Sequence, residues 1–319
     1  MSRTLFVLGG TGFIGREVVT EAVSAGHAVR ALARSPASAA ALEALGAEPV
    51  LGEAGSPAQW SEHVRGADVL IDLVQPPLPR RLGAGAVAKI VAQREAFSVA
   101  LAAQLAEIPK SERPVWFVSS GADDLEPDAA GTIGHESPRP TELKGFARIG
   151  VPVRHTVEAT GADATFICLG VMVYGPGKGY TKHVVDAIRA RRARVIGKGD
   201  NRLPLVHVTD AARALVHLAG LPRDQIVGRT FVAADGSDAT QRDLFAETAR
   251  LMGRKPPGSA PVALVRLIAG PAAAEAMTFD AHVDNSALTA TGFAYRYPTL
   301  REGVEKTLAD LGELAPGVG

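Results

Sequence analysis

Apolar and polar positions alternate along the first half of the chain with the rhythm of a strand–helix repeat. An apolar run at Leu5–Leu8 reads as a buried strand, and a helical pattern follows at once with Glu17, Val18, Val19 and Ala22. A second strand (His27–Ala33) and helix (Pro36–Leu45) come next. After them lie a short strand (Glu48–Gly52), a helix around Gln59–Val64 and a fourth strand (Asp68–Val74). A long helical stretch from about Ala86 to Glu107 leads into the strand Val115–Ser119. A helix near Pro152–Thr160 then precedes the strand Ala164–Leu169. This alternation predicts an α/β fold, a doubly wound parallel sheet with helices on both faces. Ligands of such sheets bind at the carboxyl ends of the strands, where the topology reverses.

The rhythm loosens after Gly170, where glycine- and proline-rich loops (175–179, 197–204, 256–261) separate shorter elements. Residues 171–319 therefore read as a smaller α/β portion whose loops shape a substrate pocket. The segment 123–141 reads as a loop, either a mobile lid or an ordinary surface connection. No internal repeat is visible.

Composition narrows the class. The 319 residues are 46% apolar and 21% charged, with zero formal net charge. That balance gives no electrostatic case for nucleic acid or an acidic membrane as partner. Cys168 is the single cysteine and lies in an apolar run, so it reads as a core residue; no Cys/His cluster has metal-ligand spacing. No run is long enough to span a bilayer and no signal peptide is apparent, so a cytoplasmic location is expected.

The turn between the first strand and helix carries the most chemistry. Gly9, Gly12 and Gly15 stand at three-residue spacing between a strand and a helix. That is the context of a dinucleotide-binding turn, with a pyrophosphate on the free N–H groups of the helix. The second strand ends Ala33-Arg34-Ser35 without the acidic residue that accepts bonds from the ribose 2′-OH of NAD. Arg34 instead offers a planar cation suited to a 2′-phosphate, with the Ser35 hydroxyl beside it, so NADP is expected over NAD.

Further segments follow in order: Gly52-Glu53, Val118-Ser119-Ser120, Val173-Tyr174-Gly175-Pro176-Gly177 and Val206-His207-Val208-Thr209-Asp210-Ala211-Ala212. Gly292-Phe293, with Pro298 and Glu302-Gly303 beyond, closes the series. With the opening Gly9-Gly10-Thr11-Gly12-Phe13-Ile14-Gly15, this series resembles the extended and atypical short-chain dehydrogenase/reductases, the NAD(P)-dependent epimerase/dehydratase group. The resemblance covers nearly the whole chain. It implies a Rossmann-type domain over residues 1–170, with a return segment near 203–234, and a substrate-binding portion over 171–319. It places cofactor contacts at the opening turn, Arg34, Ser35, Glu53, Leu73, Val74, Ser119, Leu169 and Val171. Ser120 takes the catalytic Ser/Thr position, and Gln75, Phe146, Met172 and Tyr174 face the substrate.

One expected feature is missing. Oxidoreductases of this family use Tyr-x-x-x-Lys, in which Tyr exchanges a proton with the substrate oxygen and Lys lowers the Tyr pKa. Counted back from Gly161, those slots fall on Phe146 and Gly150. Phe has no transferable proton and Gly no cation. Tyr174 precedes Lys178 by the right interval, but Gly-Pro-Gly between them cannot form a helical turn. Lys144, His135, Arg148, Arg154 and His155 are near in sequence, each read as a solvated charge or a substitute. His207 reads as a satisfied structural histidine. The diphosphate-holding arginine of nucleotide-sugar enzymes is replaced by Leu203, and Phe146, Val171 and Met172 are apolar. The expectation is an NADP(H)-dependent oxidoreductase acting on a small, largely apolar metabolite. A non-catalytic NADP(H)-binding regulator or redox sensor and a nucleotide-sugar epimerase/dehydratase remain as alternatives. The resemblance also implies a homodimer through the helices near 86–107 and 151–160.

Overall fold

Successive residues of the central strands point into two different cores. The computed structural model describes residues 2–177 and 179–316. In β1 (Thr4–Leu8), Leu5 and Val7 join one apolar cluster while Phe6 and Leu8 join another. β4 (Val69–Asp72) and β5 (Val115–Ser120) divide in the same way, Ile71 and Phe117 to one side, Leu70 and Trp116 to the other. A strand buried on both faces needs a continuous apolar run, which is what these segments carry.

Between them run α1 (Phe13–Ser24), β2 (Ala28–Ala33), α2 (Pro36–Glu43), β3 (Glu48–Leu51) and, after β4, α3 (Ala84–Ala106). β6 (Thr132–Ile133), α4 (Ala147–Ala159), β7 (Ala164–Cys168), β8 (Met172–Tyr174) and α5 (Tyr180–Arg189) follow β5. The remainder comprises β9 (Val195–Ile196), β10 (Leu205–His207), α6 (Val208–Gly220), β11 (Thr230–Val232) and α7 (Gln241–Leu251). Last come β12 (Ser259–Ala260), α8 (Val262–Ala269), α9 (Pro271–Met277), β13 (His282–Val283), α10 (Ser286–Thr289) and α11 (Leu300–Leu311).

Seven parallel strands form the main sheet in the order β3-β2-β1-β4-β5-β7-β11. The order reverses between β1 and β4, so Leu8 and Asp72 pair at the crevice where such sheets bind ligands. The Rossmann-type sheet expected from the alternation is present, and β11 returns from the second half of the chain to complete it. Three two-stranded parallel pairs (β8–β10, β9–β12 and β6–β13) lie outside this sheet. Asp210 ties the C-terminal segment to α6: its carboxylate accepts from the backbone N–H groups of Arg296 and Tyr297 at 2.8 Å each and from Arg213 at 2.9 Å.

Three expectations need correction. The helix expected around Gln59–Val64 is two single 3₁₀ turns, Pro57–Gln59 and Ser61–Val64, broken at Trp60. Trp60 is buried there, with its ring stacked on Phe6. The helix expected near Pro152–Thr160 begins five residues earlier, at Ala147, and carries Pro152 inside it. The segment 123–141 is no free lid. Asp123 and Asp124 are buried, and Thr132–Ile133 pairs with His282–Val283.

Candidate functional site

The glycine turn is shaped by close approach. Gly9 has φ +81°, and Gly12 N–H donates to its carbonyl at 2.8 Å. A Cβ at Gly15 would overlap the Gly9 carbonyl oxygen and lie 2.8 Å from Gly10 Cα, so α1 packs on the turn only with glycine there. Gly12 is the N-cap and no side chain caps the helix. The first amides of α1, at Phe13 and Ile14, are thus left for a ligand, and Thr11 is exposed beside them. A Cβ at Gly179 would meet the Phe13 ring at 3.4 Å, so the loop after β8 closes over the turn.

The neighbouring strand ends complete the crevice. Arg34, just past β2, is exposed and makes no ion pair among the described residues. Ser35 caps α2, accepting from Ser38 N–H at 3.2 Å and pairing with the Ser38 hydroxyl at 3.0 Å. Its oxygen is therefore already engaged, which leaves Arg34 as the cation of this corner without an ion-pair partner among the described residues. The Glu53 side chain is exposed while its carbonyl accepts from Trp60 Nε1 at 2.8 Å. Leu73 and Val74 are half-buried at the end of β4, the Leu73 carbonyl 3.0 Å from the Cβ position of Gly9.

Sequence reasoning missed the group that fixes this edge. Asp72 is buried, pairs with Arg94 of α3 at 2.7 Å and accepts from Val74 N–H at 3.0 Å. Such a pair is invisible locally, because its partners stand 22 residues apart on different elements.

At the end of β5, Ser119 and Ser120 are half-buried, and Ser120 Oγ lies 3.7 Å from Cys168 Sγ. Burial, with the nearby Asp124 charge, pushes the Cys168 thiol up to about 12. The chain then turns through a 3₁₀ turn at Ala122–Asp124 that buries two adjacent carboxyls. Asp123 caps α4, accepting from Phe146 N–H at 2.8 Å and Ala147 N–H at 3.2 Å. Burial raises its pKa to about 6 against the pull of those amides.

Asp124 is 1% exposed, and among the described residues neither of its oxygens completes a hydrogen bond. Burial first, then the Asp123 charge, hold it well above the usual carboxylate range; the Ser120 hydroxyl and Arg154 pull the other way and lose. Phe146 stands at the N-cap of α4 and Gly150 one turn further in. A Cβ at Gly150 would overlap both carboxyl oxygens of Asp124, so the acid occupies the space beside that slot. Two adjacent acids in a polar loop read as a solvated charge run. Only the fold reveals their burial.

Several sequence candidates are placed elsewhere. Met172 and Tyr174 are buried in the apolar cluster beneath α5, α7 and α11, so they pack the core instead of lining a cleft. The Tyr174 hydroxyl abuts Gly303, and its ring meets His207 edge-on at 5.4 Å. His207 caps α6 through Nδ1, which accepts from Thr209 N–H at 3.2 Å. Its Nε2 has no partner among the described residues, so it is not the fully satisfied histidine expected; burial lowers its pKa to about 4 and keeps it neutral. Leu169 is buried, Val171 half-buried and Gln75 exposed at the start of the loop before α3.

The nearby cations have other partners. Lys144 pairs with Glu142 at 2.9 Å, Arg148 with Glu275 at 3.0 Å and Arg154 with Glu158 at 3.1 Å. His135 lies 3.8 Å from Glu136, and His155 is exposed. Among the described residues no acidic, His or Cys cluster could hold a metal, and no helix is long and apolar enough to cross a membrane.

Residues 9–195 match the NAD(P)H-binding family. The epimerase family protein SDR39U1 of Bos taurus is 23% identical over 96% of this chain and 99% of its own. A 4-hydroxy-2-methyl-3-oxo-4-farnesyl-3,4-dihydroquinoline-1-oxide ketoreductase from Stigmatella aurantiaca is 43% identical over 65 residues, 20% of each chain. The crystal structure of human SDR39U1 (isoform 2) with NADPH superposes with a TM-score of 0.78 at 21% identity, covering 96% of this chain and 99% of that one. The family match covers more than half of the chain and begins at Gly9, the first glycine of the uncapped turn. The chain belongs to the NAD(P)H-binding family, and it shares its fold with the epimerase family protein SDR39U1.

Proposed function

We propose that the protein is an NADP(H)-dependent oxidoreductase that reduces or oxidises a small, largely apolar metabolite at a carbonyl or hydroxyl carbon. The observation that carries this reading is the half-buried Ser120 hydroxyl, set at the carboxyl end of β5 in the row of strand ends that forms the cofactor crevice. Residues 1–170, with the return segment near 203–234, hold the cofactor, and residues 171–319 form the substrate side.

The open amides of α1 and Arg34, unpaired among the described residues, suit a phosphorylated dinucleotide. The uncapped amides of α1 receive the pyrophosphate, and glycine at positions 9 and 15 lets the turn pack tightly against Leu73 and α1. Arg34 grips a 2′-phosphate through its planar fork, and Leu73, Val74 and Ser119 line the approach to the reacting ring. Bound there, NADP(H) supplies or accepts a hydride. Ser120 Oγ–H holds the substrate oxygen in hydrogen-bonding reach and balances the charge that develops on it. The farnesylated ketone in the name of the Stigmatella ketoreductase accords with an apolar substrate, as does buried Leu203 in the slot of a diphosphate-binding arginine.

Phe146 and Gly150 favour a second reading, a cofactor-binding sensor without turnover. The epimerase-family name of the SDR39U1 relatives keeps a nucleotide-sugar reaction as a third. Steady-state assays with NADPH and a panel of small apolar ketones, aldehydes and enones separate them, run beside UDP-sugars. Cofactor oxidation with a carbonyl is expected. Tight NADPH binding without turnover, with NADPH and NADP⁺ affinities far apart, supports the sensor instead. Arg34→Glu is expected to weaken NADPH at least tenfold and leave NADH nearly unchanged. Equal losses for both cofactors would contradict the role given to Arg34. The homodimer expected through α3 and α4 belongs to the same reading, and sedimentation equilibrium checks it.

A further inference from the structure

Phe146 cannot deliver the proton that a carbonyl oxygen needs when it is reduced. The structure holds another source one turn of chain beyond Ser120. Asp124 is 1% exposed, its two oxygens complete no hydrogen bond among the described residues, and the Ser120 hydroxyl lies beside it. The carboxyl sits against the bare Cα of Gly150, where any side chain would displace it. A lysine in that slot would do more than collide: its charge would hold Asp124 as a carboxylate, which has no proton to give. Glycine at this position and an acid in the space beside it therefore belong to one arrangement.

Given the oxidoreductase reading above, we propose that Asp124 resupplies the proton that Ser120 delivers to the substrate oxygen. In the direction of reduction, the carbonyl carbon gains the hydride and the carbonyl oxygen takes the proton of Ser120 Oγ. Once the Ser120 hydroxyl turns from Cys168 Sγ to meet the neighbouring Asp124 carboxyl, the Asp124 O–H bond breaks as its proton passes to Ser120 Oγ, which restores the hydroxyl. Asp124 is left as a carboxylate facing Arg154 until solvent reprotonates it, so one hydride and one proton are consumed per alcohol formed. Oxidation runs the same steps backwards. Asp124 acts through Ser120; Ser120 alone touches the substrate.

The groups around Asp124 are consistent with this role. Asp123 on the same turn opposes its ionisation, Arg154 of α4 favours it, and the Cys168 thiol of β7 stays protonated. Asp123 is a poor substitute, because one of its oxygens is held by the two amides that begin α4.

Asp124→Asn keeps the shape and removes the proton. It is expected to lower kcat for carbonyl reduction about 100-fold and to leave the NADPH dissociation constant within about twofold. The fall of the wild-type rate at high pH, as Asp124 loses its proton, is expected to vanish in the variant. Infrared spectroscopy of the cofactor-free protein gives a readout independent of turnover. At about pH 8.5 Asp123 and Asp235, which lose their protons near about 6 and about 7, are carboxylates. A carboxylic-acid C=O stretch that outlasts the ionisation of Asp123 and Asp235 in the wild type, and is absent from Asp124→Asn, is expected from Asp124.

Wild-type kcat and pH profile in Asp124→Asn, or no such stretch in the wild type, overturns the relay and leaves the oxidoreductase reading standing. A wild type that turns over no carbonyl overturns the oxidoreductase reading itself.

Discussion

A methyl group added at Gly150 sets two effects of opposite sign against each other. Alanine is the better helix former by about 1 kcal/mol in a helix interior. Against that, its Cβ would overlap both oxygens of a carboxyl walled in by Ser120 and Cys168, and overpacking of this kind costs about 1–3 kcal/mol. Overpacking wins, so Gly150→Ala is expected to destabilise the protein. In an Asp124→Ala background the obstacle is gone and the same change becomes stabilising. Urea midpoints of the four proteins form the cycle, and a sign that stays constant across both backgrounds would contradict the placement of Asp124. Little of this was readable in the chain. Phe146 and Gly150 stand out as departures from a Tyr/Lys pattern, but the carboxyl that fills the space beside Gly150 comes from a turn some 25 residues earlier.

At the scale of elements, the first half of the fold was legible because its strands are buried on both faces and its helices on one. Periodicity records burial, and burial made these elements. Boundaries were lost where a distant group decides them. α4 begins at Ala147 because Asp123 caps its first amides, whereas local sequence put the start at Pro152, a residue favoured at the first turn of a helix. The buried Asp72–Arg94 pair was equally out of sight, and it joins α3 to the strand end that forms the crevice wall. Arg94→Met keeps most of the volume and strands the Asp72 charge, so a loss of about 3–5 kcal/mol in unfolding free energy is expected from chemical denaturation. NADPH affinity should fall with it, since Val74 N–H is held by the same carboxylate. A loss below about 1 kcal/mol would contradict the assigned burial of the pair.

Across the whole molecule, two buried groups in the seam between the main sheet and the C-terminal segment respond to pH in opposite directions. Burial raises Asp235 from 3.8 to about 7, so its contribution to stability is complete below the unfolded value and drains away as pH climbs through about 7. Burial lowers His207 from 6.5 to about 4, so its contribution is present above 6.5 and is lost as pH falls towards about 4. Between those limits the two slopes oppose each other. Asp235→Asn removes one of them while Asn keeps an oxygen for the Ser237 N–H, now 2.9 Å from Asp235 Oδ1. The Tm of this variant is expected to gain on that of the wild type as pH rises from about 4 to about 7, and thermal melts across that range measure it. A gap independent of pH would contradict the burial of this carboxyl.

The one cysteine of the chain has a practical use. Cys168 is fully buried between the strand end that carries Ser120 and the turn that carries Asp124, with its thiol held protonated. Alkylating dyes need a thiolate in contact with solvent, and the native protein offers none. A single cysteine introduced on the surface would therefore take a fluorophore or spin label alone, with nothing first removed from the wild-type sequence. Cys168 itself becomes a clock: its slow reaction times the openings that expose the heart of the site.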